Sequence, residues 1–367
     1  MKIKNLANHV LSQKFASIRN VASLIGNMTA AFEAVSFGRM YYRHIEICKT
    51  RALEINKYDF EAKCELNWQA KEEIKWWIYN IDSSVAKMKS IPEIDKIIYI
   101  DASNEGWGAH IFHNQDINGR WSFEEQDWHI NVLEMMAIKF ALLSYMPFCD
   151  RKKHIRVMSD NTTAISYINK QGGTHNIYLN DLAVELWEIC NQRNIHLSAA
   201  HIPGKHNILA DSASREFVDA AEWMLSPHIF NKIVEEFGMP DIDLFASRLN
   251  RQLQNYVSWK PDPESTYIDA MTISWHKRFV YIFPPFSMMW PVLTKLEKDQ
   301  VGEAIIIAPY WPTQSWFPRL MKKKTLLRYI SSKDLILPGT NKAHPLSPKL
   351  KLMAVKVQRD SLRTLRN

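Results

Sequence analysis

The period of the hydrophobic pattern changes at about Pro92, and this change limits the folds that the chain can adopt. Before Pro92, apolar residues recur at spacings of three and four, which predicts helices. After it, short apolar runs rich in β-branched residues predict strands, and the first of these ends at Asp101. The predicted order is then three strands, a helix, a strand, two helices, a strand and a helix. This order predicts an α/β fold with a mixed five-stranded sheet and flanking helices.

The individual elements follow from the same spacing. Helices are predicted at 18–33, 39–55 and 62–81 in the N-terminal region. In the α/β region, strands are predicted at 97–100, 106–112, 120–123, 154–159 and 195–201, and helices at 132–146, 164–169, 178–193 and 208–217. Further strands are predicted at 242–245, 279–283 and 304–308. Lys, Pro and Ser dominate from about Met321, which predicts a poorly ordered extension.

A chain of 367 residues is long enough for two or three domains. We expect a helical region over 1–92, an α/β domain over 93–220, a smaller α/β segment over 222–318 and a basic tail over 319–367. The tail carries 13 Lys or Arg residues against two acidic residues, whereas the α/β domain carries 11 against 17. A basic tail favours contact with the phosphate backbone of a nucleic acid.

Several classes of protein are excluded by the composition. No run reaches the roughly 18 consecutive apolar residues of a membrane span, and the first residues lack the apolar stretch of a secretory signal. We therefore expect no membrane partner and an intracellular protein of the nucleus or the cytoplasm. The cysteines form no C-x-x-C pair, so we expect free thiols rather than a zinc or redox site. They are Cys48, Cys64, Cys149 and Cys190.

Four acidic residues lie where a sheet can bring them together. Asp101 and Asp160 each end a predicted strand, Glu134 lies about one turn into a helix, and Asp211 lies in the last helix of the domain. The carboxyl ends of adjacent strands meet at one edge of a sheet. Carboxylates held this close need a cation, and oxygen ligands without Cys or His suit Mg²⁺. Two such ions about 4 Å apart assist phosphodiester hydrolysis, so a nuclease site is expected.

Four separated blocks of the sequence resemble the ribonuclease H domain of retroelement reverse transcriptases. They are D-A-S from Asp101 with G-W-G-A, N-V-L-E-M-M-A around Glu134, S-D-N-T-T-A around Asp160, and H-I-P-G-K-H-N-I-L-A-D-S-A-S-R from His201. The resemblance covers about 93–220 and implies a ribonuclease H-like fold. It also implies that Asp101, Glu134, Asp160 and Asp211 hold two Mg²⁺ ions, with Mn²⁺ as a possible substitute. His201 matches the family's loop histidine, which assists proton transfer or product release.

The flanking segments resemble parts of tyrosine-recombinase retrotransposons of the DIRS type. Residues 1–92, with the pair Trp76-Trp77, are similar to a thumb and connection region. Residues 222–318 are similar to an adenine-methyltransferase-like segment. The resemblance implies partners within a retroelement polyprotein, namely a polymerase domain and a recombinase. We expect no polymerase activity, because no Y-x-D-D motif precedes the α/β domain. Methyl transfer is not expected either, because Phe283 replaces the Asp or Asn that would accept the amino hydrogen bond.

The sequence therefore predicts a metal-dependent ribonuclease H that cleaves the RNA strand of RNA/DNA hybrids. Because the α/β domain is acidic, substrate affinity is expected to come from the metal ions, the helical region and the basic tail. One alternative is a catalytically inactive nucleic-acid-binding or scaffold remnant of a retrotransposon polyprotein. A second is a related polynucleotidyl transferase of the integrase or transposase kind, which would use three carboxylates, with the last on a late helix, and act on double-stranded DNA. The fourth acid Asp211 and His201 favour ribonuclease H over it.

Overall fold

A computed structural model describes residues 2–35, 37–82, 93–111, 116–148, 154–218 and 222–358. Phe112, the predicted end of the second strand, lies outside these ranges, as do Cys149 and the change of pattern at Pro92. Within the described ranges, Cys48 and Cys64 are free thiols. None of the described helices is long and apolar enough to cross a membrane.

The N-terminal region is a cluster of helices around one apolar core. Its elements are α1 Lys2–Ser12, β1 Ala16–Ser17, α2 Ile18–Ala30, α3 Arg43–Ile55, β2 Lys63–Cys64 and α4 Trp68–Asn80. The helix predicted at 62–81 begins only at Trp68, because the Asn67 side chain caps it by accepting a hydrogen bond from the amide of Ala70. The residues before this cap pair with β1 instead, in a short antiparallel bridge.

The next region is an α/β unit with a five-stranded mixed sheet in the order β5-β4-β3-β6-β7. Strand β3 is antiparallel to β4 and parallel to β6, which is parallel to β7. The predicted mixed five-stranded sheet with flanking helices is confirmed. The elements are β3 Lys96–Ala102, β4 Gly106–Ile111, β5 Ile117–Arg120, α5 Phe123–Gln126, α6 Ile130–Tyr145, β6 His154–Ser159, α7 Thr162–Asn169, α8 Ile177–Gln192, β7 His196–His201 and α9 Ile208–Arg215.

The third strand of this sheet is displaced from its predicted position at 120–123. Strand β5 ends at Arg120, and a short helix replaces the predicted end of the strand. Ser122 and Glu125 form a capping box, in which each side chain accepts a hydrogen bond from the backbone amide of the other residue. This reciprocal cap starts a helix at a point where the apolar pattern alone predicts a strand.

A second α/β unit follows, with a five-stranded sheet in the order β14-β16-β13-β12-β9. Strands β9, β12 and β13 are parallel, and β16 is antiparallel to both β13 and β14. The elements are β8 Met224–Leu225, α10 Pro227–Phe237, β9 Ile242–Asp243, β10 Val257–Ser258, β11 Tyr267–Ile268, β12 Phe279–Ile282, α11 Met289–Lys298, β13 Glu303–Pro309, α12 Trp316–Lys323, β14 Lys324–Ser331, β15 Leu335–Ile336 and β16 Lys351–Gln358.

The expectation of a poorly ordered extension from about Met321 is wrong. Strands β14 and β16 belong to the second sheet, and Leu352 to Val355 are fully buried between β13 and β14. The apolar run of β16 is short and bounded by lysines, so the composition of the segment hides it. The sheet crosses the boundary predicted between 318 and 319, whereas the boundaries predicted near 92 and 221 stay predictions.

Asp243, at the end of β9, is a buried carboxyl group whose protonation affects the stability of the second unit. Burial raises the pKa of Asp243 to about 7, although amide hydrogen bonds from Gln252 and Phe245 lower it. The native chain therefore keeps a proton that the unfolded chain releases above about pH 4. Since the folded-state pKa is raised, the free energy of unfolding falls as the pH rises, by roughly 2 kcal/mol between about pH 5 and pH 7.

We expect Asp243→Asn to remove most of this pH dependence and to unfold at a higher urea concentration than the unchanged chain at pH 8. The amide oxygen of Asn keeps one acceptor for the two amides, and the side chain cannot ionise. Urea unfolding at a series of pH values measures the effect, with the exposed Asp127→Asn as the control. Parallel curves for Asp243→Asn and the unchanged chain would contradict the prediction.

Candidate active site

Asp101 and Asp160 lie at the same edge of the first sheet. Strands β3 and β6 are parallel neighbours, with Lys96 opposite Ile155 and Tyr99 opposite Met158. Continuing this register brings Asp101 level with Asp160, the residue that follows β6. The adjacency of the two strands, on which the predicted cluster depends, is therefore present in the structure.

Glu134 completes a group of three carboxylates. Helix α6 packs against β3 and β4 and directs the Glu134 side chain to the sheet edge, where it is 4% exposed. One oxygen from each of Asp101, Glu134 and Asp160 lies within 4.8 Å of the others. Among the described residues, this is the group that could hold a metal ion through three side chains.

Asp211 lies beside this group rather than within it. Nε and Nη2 of Arg215, one helical turn later in α9, lie 2.9 and 2.8 Å from Asp211 Oδ1. Helix α9 lies on the sheet at Gly108, where an added Cβ would be only 2.5 Å from the amide nitrogen of Ser214. The close packing of α9 thus brings Asp211 near enough for its charge to raise the pKa of Asp101.

His201 is at the same edge as the carboxylates. It is the last residue of β7, opposite Ser159 in the parallel pairing, and its side chain is exposed. The next amide, of Ile202, donates to the Ser159 carbonyl. His206 lies in the exposed turn Gly204–His206.

The electrostatics of the group favour bound positive charge. Burial, together with the charges of Asp101 and Asp160, raises the pKa of Glu134 to about 8. Burial also raises the pKa of Asp101, against a hydrogen bond from Ser214 that lowers it. A cation at this edge would offset the repulsion among the carboxylates and lower both pKa values.

The residues present fit a divalent metal ion. Glu134 Oε2 is buried and makes no hydrogen bond, so it is an acceptor without a donor. An unpaired buried oxygen of this kind is costly unless a cation or a water binds it. The set contains carboxylate oxygens alone, which suits a hard ion such as Mg²⁺. The fold and this cluster together define an α/β protein with a carboxylate site suited to a divalent cation.

Three residues that hold the site in place are not predicted from the sequence to have a role there. The hydroxyl of Ser214 donates to Asp101 Oδ2 at 2.8 Å, and the side-chain amide of Asn207 donates through Nδ2 to the carbonyl of Ile100 at 2.9 Å. A Cβ at Gly204 would lie 2.9 Å from Asp160 Oδ2, so this glycine leaves room for the carboxylate. All three belong to the sequence block from His201 to Arg215, but only packing shows their contacts.

Solved structures of ribonuclease H and reverse transcriptase proteins are similar to parts of this chain. RNase H1 from the halophilic archaeon Halobacterium salinarum is 20% identical over 32% of this chain and 92% of its own, with a TM-score of 0.26. LC11-RNase H1 in complex with an RNA/DNA hybrid is 18% identical over 32% of this chain and 93% of its own, with a TM-score of 0.27. A foamy viral protease-reverse transcriptase in complex with double-stranded DNA is 10% identical over 55% of this chain and 35% of its own, with a TM-score of 0.23. No family model and no curated protein matches the chain.

Proposed function

We propose that this chain is a metal-dependent endonuclease that hydrolyses the RNA strand of RNA/DNA hybrids. The observation that carries the proposal is the meeting of Asp101, Glu134 and Asp160 within 4.8 Å, at a sheet edge that also carries His201. The resemblance of the sequence blocks to ribonuclease H supplies the substrate class. The same blocks support Asp211 as a fourth ligand, as the sequence predicts.

Each residue has a defined part in the proposed reaction. Asp101, Glu134, Asp160 and Asp211 would hold two Mg²⁺ ions, which supply an activated water and charge stabilisation at the leaving oxygen. Mn²⁺ is a possible substitute with the same kind of ligands. Arg215 holds the Asp211 carboxylate beside the group through an ion pair at 2.8 Å. His201, which is exposed at the rim, would assist proton transfer or product release, as its match to the family's loop histidine implies.

Removing the metal provides a direct test of this site. We expect a chelator to abolish hybrid cleavage and added Mg²⁺ to restore it. Mg²⁺ should also raise the midpoint of thermal unfolding, because an ion that binds only the native state stabilises it. Asp101→Asn should lose this thermal shift, whereas Asp127→Asn should keep it. Undiminished cleavage in the presence of the chelator would contradict the proposal.

Ser214 is expected to act as a positioning residue for Asp101. Its buried hydroxyl lies 2.8 Å from both Asp101 Oδ2 and the carbonyl oxygen of Asp211, and its hydrogen bond to the carboxylate ties α9 to β3. We expect Ser214→Ala to lower hybrid cleavage by about 10- to 100-fold, the usual cost of losing a group that orients a metal ligand. The Mg²⁺ concentration for half-maximal activity should rise, and Ser212→Ala on the same helix should leave it unchanged. A fall in activity without a change in Mg²⁺ requirement would mean that Ser214 does not act through the metal site.

The second candidate is a polynucleotidyl transferase of the integrase or transposase kind, which would use three carboxylates with the last acid on a late helix. The acid on the late helix α9 is Asp211, which is paired with Arg215 beside the close group, whereas Glu134 of the close group lies on α6. Asp211 and His201 support hybrid hydrolysis, as the sequence blocks predict. Cleavage or strand joining on double-stranded DNA would select the transferase instead.

The proposal includes the biological setting implied by the flanking sequence. An origin in a DIRS-type retrotransposon polyprotein, with a polymerase domain and a recombinase as partners, is supported by the sequence resemblance of 1–92 and 222–318. The remaining alternative is an inactive scaffold or nucleic-acid-binding remnant. Hybrid binding without cleavage under the conditions above would identify it.

A further inference from the structure

A groove of about 630 Å³ lies between α4 of the N-terminal region and α8 of the first α/β unit. Its walls carry four aromatic side chains. Tyr41 and Trp76 stack face to face, with ring centroids 4.1 Å apart. Trp68 and Tyr79, on α4, are large aromatic side chains, yet they are 71% and 79% exposed. Rings exposed to this degree around a cavity offer stacking surfaces to a ligand. We call this feature the aromatic groove.

The aromatic groove is acidic. The carboxylates that line it come from both helices, and Lys75 and His44 are the basic side chains among the lining residues. Glu72 and Glu185 are paired with Lys75 and Lys139, each at 2.6 Å, and Glu188 accepts a hydrogen bond from the hydroxyl of Tyr41 at 2.7 Å. The five acidic lining residues are Glu72, Glu73, Asp181, Glu185 and Glu188. This excess of negative charge repels a phosphate backbone and attracts a cation.

His44 lies at one end of the groove between two carboxylates. It is 9% exposed, with Nδ1 2.9 Å from Glu73 Oε1 and Nε2 3.5 Å from Asp181 Oδ1. Burial lowers the pKa of His44, but the hydrogen bond and charge of Glu73 and the charge of Asp181 raise it overall. An N–H donor that reaches this end of the groove would meet the Asp181 carboxylate, whose side chain is 56% exposed.

We propose that the aromatic groove binds an arginine-rich segment of a protein partner. A guanidinium group is planar, stacks on Trp and Tyr rings, and donates several N–H bonds to carboxylates, which are the surfaces that the groove presents. The acidic side chains of the groove attract the positive charge of arginine and repel the phosphates of a nucleic acid, so the charge favours the arginine-rich segment. The groove is built from α4 and α8 and is separate from the carboxylate cluster, so this function does not rest on the proposed nuclease activity.

Fluorescence anisotropy of a fluorescein-labelled octa-arginine peptide, titrated with the full chain, tests the proposal. We expect saturable binding that weakens as the ionic strength rises. Trp68→Ala and Tyr79→Ala should each weaken binding by about tenfold, the upper range for a cation over an aromatic ring. Both side chains are largely exposed, so neither change should unfold the chain. Tyr178→Ala is the matched control, because Tyr178 is a 73% exposed ring on α8 that does not line the groove.

The outcomes separate the groove from other acidic surfaces. Loss of binding in the two groove variants and an unchanged affinity in Tyr178→Ala would support the proposal. Equal affinity in all variants, or no saturable binding, would overturn it. Weakening by Asp160→Asn instead would place the peptide at the carboxylate cluster and would also overturn it.

Discussion

Asp160→Asn is expected to lower hybrid cleavage by more than about 100-fold, because losing even a group that only orients a metal ligand costs 10- to 100-fold. The exposed Asp160 carboxylate shares the close group with Asp101 and Glu134, so its removal takes away one of three converging oxygens. The Asn side chain keeps one oxygen but carries no charge to balance the metal. Initial rates on an end-labelled RNA/DNA hybrid with saturating Mg²⁺ measure the loss.

The matched control for this variant is Asp127→Asn. Asp127 is an exposed carboxylate of the same unit, at the end of α5 and away from the cluster. The Asp127→Asn variant should cleave the hybrid at the unchanged rate, and urea unfolding should show that both variants are folded under the assay conditions. A rate for Asp160→Asn within threefold of the control would remove the carboxylate cluster from the mechanism.

Arg248→Ala is expected to destabilise the chain by roughly 3–5 kcal/mol, the usual cost of removing one partner of a buried ion pair. The two guanidinium nitrogens lie 2.7 and 2.8 Å from the Glu125 oxygens, and the two side chains are 12% and 10% exposed. The guanidinium also donates to the carbonyl of Arg120 and lies 4.5 Å from the ring centroid of Phe140. Without it, the Glu125 carboxylate is left buried without its partner.

Urea unfolding measures this loss and separates the lost charge pair from lost packing. The double variant Arg248→Ala with Glu125→Gln should recover part of the stability, because a neutral side chain is less costly to bury alone. Arg251→Ala is the control, since its ion pair with Glu264 is more exposed and should contribute less than about 1 kcal/mol. Equal losses for Arg248→Ala and Arg251→Ala would show that the buried pair does not hold the two α/β units together.

The sequence is sufficient to predict that three of its four candidate carboxylates, Asp101, Glu134 and Asp160, lie together, because two of them are at strand ends. Asp101 and Asp160 each come at the end of a short apolar run, and parallel neighbours place such residues at one edge. Glu134 is predictable because helical spacing places it one turn from a helix start. The role of Ser214 is not predictable in this way, since its contact with Asp101 depends on how closely α9 approaches β4 at Gly108.

Other features depend on contacts between segments far apart in the chain. The pair Arg248–Glu125 joins residues of different units, and no local pattern indicates that they meet. Strand β16 is not predicted from the sequence, because lysines dominate the composition of its segment. Its burial depends on pairing with β13 and β14. The capping box at Ser122 has the Ser-x-x-Glu spacing in the sequence, but the apolar residues around it favour a strand. Sequence spacing therefore predicts sheet edges more securely than it predicts the partners across an interface.

The measurement that tests the proposed function most directly is the strand and duplex specificity of cleavage. The purified chain would be incubated with Mg²⁺ and end-labelled RNA/DNA, RNA/RNA or DNA/DNA duplexes, with each strand labelled in turn. We expect cleavage of the RNA strand of the hybrid alone, and none by Asp160→Asn. An intact hybrid under conditions in which the chain binds it, or cleavage of the DNA duplex, would contradict the assignment of hybrid hydrolysis.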